Sequence, residues 1–337
     1  MIVVLGFGHR GGFRVMTIVV GYLPAKGGRA SLDLAAVLAR SGVTEQVAVV
    51  TVVPRHWTTP SMAKVDAEFA AWSHQLGEDA LDQARRYLTA KWPDVAATFQ
   101  QTHGRSVPSA LIAACDELSG NLLVLGSSTD GRVGQIIVGS TATPLLHSSE
   151  VPIAIAPRGY RAAKGSALGR LTCSFAATEE SADLLTATAQ LSATLGCPLR
   201  IVTFGVRGRT MYPPEVGLHA EDQVLAQWRE QVQTAQEAAL ARLNDLDLLP
   251  GDATATTSIA TGGTWGEAMD EVEWEAGEVL VVGSSRVGRL ARVFLGSAAI
   301  KIVRYSPVPV VVVPAAVAAE VAEAAGLAEG GEEPHAR

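Results

Sequence analysis

Residues 125–157 read LGSSTDGRVGQIIVGSTATPLLHSSEVPIAIAP, and residues 282–314 read VGSSRVGRLARVFLGSAAIKIVRYSPVPVVVVP. The two stretches align without a gap. Gly126, Ser127, Ser128, Gly131, Gly139, Ser140, Pro152 and Pro157 recur, each 157 positions later, as Gly283, Ser284, Ser285, Gly288, Gly296, Ser297, Pro309 and Pro314. That period is too long for a solenoid unit and fits a duplicated domain. A chain of 337 residues gives each copy the length to bury its own core.

Outward from this stretch, each copy alternates short β-branched runs with helical periodicity. In the first, strands are expected at Thr17–Val20, Val47–Val53, Ala96–Gln101, Leu122–Leu125 and Val151–Ala156. Helices fall between them at Arg29–Arg40, Ala63–Ala90, a stretch opened by Pro108, and Gly139–His147. The second copy repeats the plan from Arg170 to Val313, with Trp265–Glu275 and Gly296–Arg304 as its last two helices. Strands alternating with long helices imply right-handed crossovers, hence α/β architecture: two tandem, doubly wound, five-stranded parallel sheets. The expected domains are 16–158 and 169–314, joined by a linker at Tyr160–Gly169. Residues 1–15 read as an appended start and 315–337 as a disordered acidic tail. The apolar last strands, Val151–Ala156 and Val308–Val313, are expected to meet across a pseudo-twofold axis, because exposed apolar edges invite pairing.

A composition of 48% hydrophobic and 18% charged residues is that of a globular chain, and 5% aromatics require a core of Val, Leu, Ile and Ala. A net charge of −7 speaks against nucleic acid as a partner. No apolar run approaches the roughly 20 residues that span a bilayer, and no secretory cleavage pattern is present. Cys115, Cys173 and Cys197 are scattered and read as reduced thiols in a cytoplasmic protein.

Ligands of doubly wound sheets sit at the carboxyl ends of strands. Gly126 and Gly283 end the fourth strand of each copy, and thirteen residues later Gly139-Ser140-Thr141 and Gly296-Ser297 open a helix. Glycine admits close backbone approach, helix N-termini favour anions, and the hydroxyls add donors. The candidate nucleotide-binding residues are therefore Gly126, Ser127, Gly139, Ser140 and Thr141, and Gly283, Ser284, Arg286, Gly296 and Ser297.

This glycine segment, followed by a helix and a Val-Pro-valine-rich strand, resembles the universal stress protein family over both halves. The resemblance implies a stress-response protein, often tandem or dimeric, that in many members binds ATP in this segment, with Mg accompanying the nucleotide. It also implies no chemistry of its own, an unidentified regulatory protein partner, and homo-oligomers as one form of assembly. Two departures stand out. The family's middle glycine is Thr129 in one copy and Arg286 in the other, and the aspartate that follows the first strand is Leu23 and Ala176. A hydrogen bond to a charged group contributes roughly 1.5–3 kcal/mol, so its loss weakens binding about ten- to a hundredfold. Arg286, Arg289 and Arg292 either compensate at the phosphates, which favours the second copy, or form a solvated helix face. Asp130 would repel phosphates in the first copy.

The alternative is the same fold without nucleotide, acting as an interaction module, with an ATP-dependent enzyme of related fold a distant third. Gly6-Phe7-Gly8-His9-Arg10-Gly11 fits G-x-G-x-x-G, but a strand follows where a dinucleotide site needs a helix. The seven histidines are isolated. Trp72, Trp228, Trp265 and Trp274 lie on helical segments and read as packing residues.

Overall fold

The computed structural model describes residues 17–24, 27–44, 46–54, 63–128, 133–207, 218–249, 255–287 and 292–329. The expected appended start and its glycine motif lie outside them. The first half runs β1 (Thr17–Gly21), α1 (Gly28–Arg40), β2 (Gln46–Val53), α2 (Ala63–Lys91), β3 (Ala97–His103), α3 (Val107–Leu118), β4 (Gly120–Gly126), α4 (Ala142–Ser148) and β5 (Ile153–Ala156). The second runs β6 (Arg170–Ser174), α5 (Glu179–Leu195), β7 (Leu199–Val206), α6 (Leu218–Asp245), β8 (Ala255–Gly262), α7 (Trp265–Asp270) and β9 (Glu278–Gly283). It continues through β10 (Ser285–Val287), β11 (Arg292–Phe294), α8 (Ser297–Tyr305), β12 (Val310–Val313) and α9 (Ala315–Glu329).

Local signals set several boundaries. Ser106 and Ser109 form a capping box at the start of α3, with Pro108 in its first turn. Thr178 and Ser181 do the same for α5, which ends on Gly196 in the left-handed conformation.

The two five-stranded parallel sheets expected from the sequence are present, joined edge to edge at the apolar last strands that were expected to meet. Together they form one ten-stranded sheet of order β3-β2-β1-β4-β5-β12-β9-β6-β7-β8. Within that sheet, all pairings inside a half are parallel. The seam is antiparallel, Ile155 opposite Val310, Ala154 opposite Val311 and Ile153 opposite Val312. The duplication stands, because β3-β2-β1-β4-β5 and β8-β7-β6-β9-β12 are the same order read from opposite edges. The physical reason for fusion is the edge itself: an apolar last strand with unpaired N–H and C=O groups is satisfied by its duplicate.

Side chains alternate across the seam. Val310 and Val312 enter a core shared by both halves on the face of α3, α4, α7 and α8, together with Ile155, Leu145, Met269 and Val303. On the opposite face the core is divided, one part around α1 with Leu34 and Val49, the other around α5 with Leu185 and Ile201. Val311 touches both parts.

Three further differences concern the second half. The segment expected as a disordered tail forms α9 as far as Glu329; residues 330–337 lie outside the described residues. Ala315, Ala318, Val321 and Ala325 bury one face of α9, which packs along α5. Composition alone concealed a helical period in that stretch. α7 stops at Asp270, five residues short of expectation. Arg286 and Arg292 lie on the antiparallel β10–β11 hairpin, so the helix face expected for them is not formed. Truncation after Pro314 should uncover α5 and lower stability by roughly 2–4 kcal/mol. An unchanged urea midpoint for the truncated chain would show that α9 contributes nothing.

Candidate functional site

The order of the sheet reverses between β1 and β4, and a cleft opens there in the first half at the strands' carboxyl ends. Its volume is ≈ 400 Å³. Val50 and Val52 of β2, Leu111 of α3 and Leu125 of β4 form an apolar wall, and Tyr22 and Leu23 close the side after β1. Gly126, Ser128, Gly139, Ser140 and Thr141 form the opposite, polar end. Burial pushes the Tyr22 phenol up, against the lowering effect of the Arg29 charge. None of the described lining residues is charged.

The candidate residues divide by what occupies them. Gly126 is required by the fold: a Cβ there would overlap the carbonyl of Gly27, which itself adopts φ +73° before α1. Ser127 is buried and directs its hydroxyl inward, accepting from the Ile137 backbone N–H at 2.8 Å, so it braces the glycine loop instead of facing the cleft. Gly139 is different, since a Cβ there would meet only Ser128 at 3.5 Å. The fold leaves space above Gly139, and its carbonyl accepts from Thr143 at the start of α4. The Thr141 hydroxyl makes no capping bond to α4. α4 begins at Ala142, so Gly139 and Ser140 precede the helix rather than opening it. Thr129, Asp130 and Gly131 lie outside the described residues. Leu23, at the position of the expected aspartate, is 45% exposed at the cleft mouth.

The second half has a smaller pocket, ≈ 220 Å³. Among the described residues Gly283, Ser284, Gly296 and Ser297 do not line it. The Ser284 hydroxyl accepts from Ala315 N–H at 3.1 Å, which uses it to start α9. Gly296 caps α8 with open space around it. Arg286 pairs with Val293 across the hairpin, and Arg289 lies outside the described residues. Ala176 does line this pocket.

What separates the pockets is a pair of substitutions that sequence reasoning missed. Thr51 and Thr203 each donate a hydroxyl hydrogen bond to the carbonyl of the residue after their neighbouring strand, Tyr22 and Phe175 respectively. That register places Phe204 where the first half has Val52. The caps Ser106 and Thr264 likewise place Trp265 where the first half has Val107. Aligning the halves on those cap residues would have found the exchange.

Outside the clefts, burial pushes the Cys115 and Cys173 thiols up to about 12, which leaves them unreactive at neutral pH. Among the described residues no group of three or more His, Cys, Asp or Glu side chains is placed to hold a metal, and no helix is long and apolar enough to cross a membrane.

Fold and clefts together define a duplicated, doubly wound α/β protein with one pocket per half at the reversal of its sheet. The universal stress protein family profile matches twice, at residues 15–157 and 174–314. Universal stress proteins of Mycobacterium bovis and Mycobacterium tuberculosis are 45% identical over 299 residues, which is 89% of this chain and the whole of each relative. The chain belongs to the universal stress protein family. A solved universal stress protein from Archaeoglobus fulgidus shares the fold with TM-score 0.56 at 15% identity, covering 90% of this chain and 100% of its own. A putative universal stress protein from Pseudomonas aeruginosa does so with TM-score 0.51 at 14% identity, covering 93% and 98%.

Proposed function

We propose that this protein is a cytoplasmic regulator that binds adenine nucleotide in its first half and acts through protein contacts without chemistry of its own. The observation that carries the reading is the ≈ 400 Å³ cleft, which joins an apolar wall to Gly139, Ser140 and Thr141. Its size falls within the roughly 300–1,000 Å³ of small-molecule sites, and the second pocket falls below it. A base and ribose fit against Val50, Val52 and Leu111. Phosphates fit over Gly139, where the fold leaves room, with hydroxyl donors at Ser140 and Thr141. No carboxylate among the described lining residues is available to hold Mg, so the ion would arrive on the phosphates. Charge reasoning on Arg286 favoured the second copy; cleft geometry favours the first.

Leu23 in place of an aspartate supports a weak site, filled at millimolar ATP. Calorimetric titration with ATP and Mg should give one site per chain. Exchanging Val52→Phe together with Val107→Trp should remove that heat, because it builds the second half's aromatic wall into the first. Gly139→Val should weaken binding about tenfold or more while leaving the thermal midpoint unchanged, since the protein itself leaves space there. No heat from the parent at millimolar ATP would favour the nucleotide-free interaction module.

A further inference from the structure

The second half's pocket is smaller than the first but is not closed. Phe175, Phe204, Trp228 and Trp265 all contribute to its walls, in a chain whose aromatics make up only 5% of residues. Phe175 is buried, whereas Phe204, Trp228 and Trp265 remain partly exposed. Phe204 and Trp265 stand with ring centroids 6.3 Å apart at 47°, the tilted arrangement that aromatic pairs favour. Trp228 rests on Gly205, where any Cβ would collide with the indole, so the strand has given up a side chain to seat the ring. Lys301 lies 6.0 Å from the Trp265 ring centroid and is not among the described lining residues.

We infer that this pocket is a binding site for a small, uncharged, planar aromatic molecule of about two fused rings, a ligand class distinct from the nucleotide of the first half. Size sets the scale: a 150 Å³ apolar cavity holds one benzene, so ≈ 220 Å³ matches a bicyclic ring and leaves no walled space for a ribose and phosphates beside it. Chemistry sets the class. The described walls carry no charged side chain, and the Thr203 hydroxyl is already committed to the Phe175 carbonyl and the Gln236 amide. The lip of the pocket is also built at a cost. Ala177, which lines it, holds φ +55°, a conformation in which alanine has no side-chain hydrogen bond to compensate. Such outliers cluster at ligand clamps.

The inference is independent of nucleotide binding in the first half, and one experiment keeps the two apart. Indole is titrated into the full chain by calorimetry, with and without saturating ATP and Mg. The expected result is one site with a dissociation constant on the order of 100 µM, unaffected by ATP. Ala298→Phe, at an exposed lining position that tolerates a larger side chain, should abolish indole binding and leave any ATP heat unchanged. Trp265→Ala should weaken indole roughly 2- to 10-fold with the ATP isotherm as a check on folding. No indole heat in the parent, undiminished binding by Ala298→Phe, or competition by ATP would each overturn the assignment. Absence of ATP heat alone would leave it standing.

Discussion

Replacing Asp33 by alanine is expected to cost about 3–5 kcal/mol of stability. Asp33 lies on α1 and is fully buried. Its carboxylate accepts from the Tyr87 hydroxyl at 2.8 Å, the Lys91 ammonium at 2.8 Å, the Trp92 indole N–H at 2.9 Å and the Ala162 backbone N–H at 3.3 Å. One residue therefore fastens α2 to α1 and holds the start of the segment that leads to the second half. Removing it strands the buried Trp92 N–H and leaves Lys91 unpaired. Asp33→Asn should fall between parent and alanine, since the amide can accept from only part of this set. A urea midpoint for Asp33→Ala within experimental error of the parent would show the cluster to be dispensable.

The same cluster predicts the response to alkali. Burial lowers the Lys91 pKa, but hydrogen bonds to Asp33 and Tyr87, with the Asp33 charge, outweigh it, and the net direction is up from 10.5. Burial, followed by the Asp33 hydrogen bond, raises the Tyr87 phenol; burial, followed by the Asp33 charge, pushes Tyr160 up to about 12. Each group holds its proton more tightly folded than unfolded. Their contribution is therefore complete below the unfolded values, near pH 10, and is lost as the pH rises through the folded ones. Denaturation curves between pH 9 and 12 should show this loss, and the loss should be smaller in Asp33→Ala.

Lysine at Val311 is expected to lower stability by about 3 kcal/mol. Val311 sits in the middle of the antiparallel seam opposite Ala154 and joins the two cores on the α1–α5 face. It also lines an apolar cavity of ≈ 110 Å³ whose only polar described neighbours are Asn121 and Thr188. An ammonium there meets no counter-charge among the described lining residues, and the long stem must compete with Leu195 and Leu38 for space. Val311→Ile should be neutral or stabilising, because its extra methyl can enter the cavity. Lysine tolerated with less than about 0.5 kcal/mol of loss would mean that the seam does not bind the halves together.

Much of this architecture is legible in the sequence. The gapless repeat at Gly126/Gly283 and Pro157/Pro314 announced two copies, because an insertion between the fourth and fifth strands would have broken the register. Period-2 and period-3.6 patterns located the strands and the main helices, since both report which faces are buried. The apolar last strands signalled the seam. By contrast, α9 was hidden in an Ala- and Glu-rich stretch whose burial depends on an α5 groove distant in sequence. The β10–β11 hairpin was equally unsigned: its three-residue strands are too short to show a period.

The sequence by itself determined duplication, family and the glycines at the strand ends, because these depend on spacing along one chain. Only the tertiary structure decided which of those residues face a cleft. Ser127 and Ser284 look alike in the repeat, yet one braces a loop and the other starts α9. Val52 and Phe204, or Val107 and Trp265, acquire their meaning only when strand register and helix caps bring them to the same pocket wall. A pocket is the space left between elements remote in sequence, and side-chain volume across that space cannot be summed until the fold has placed both sides.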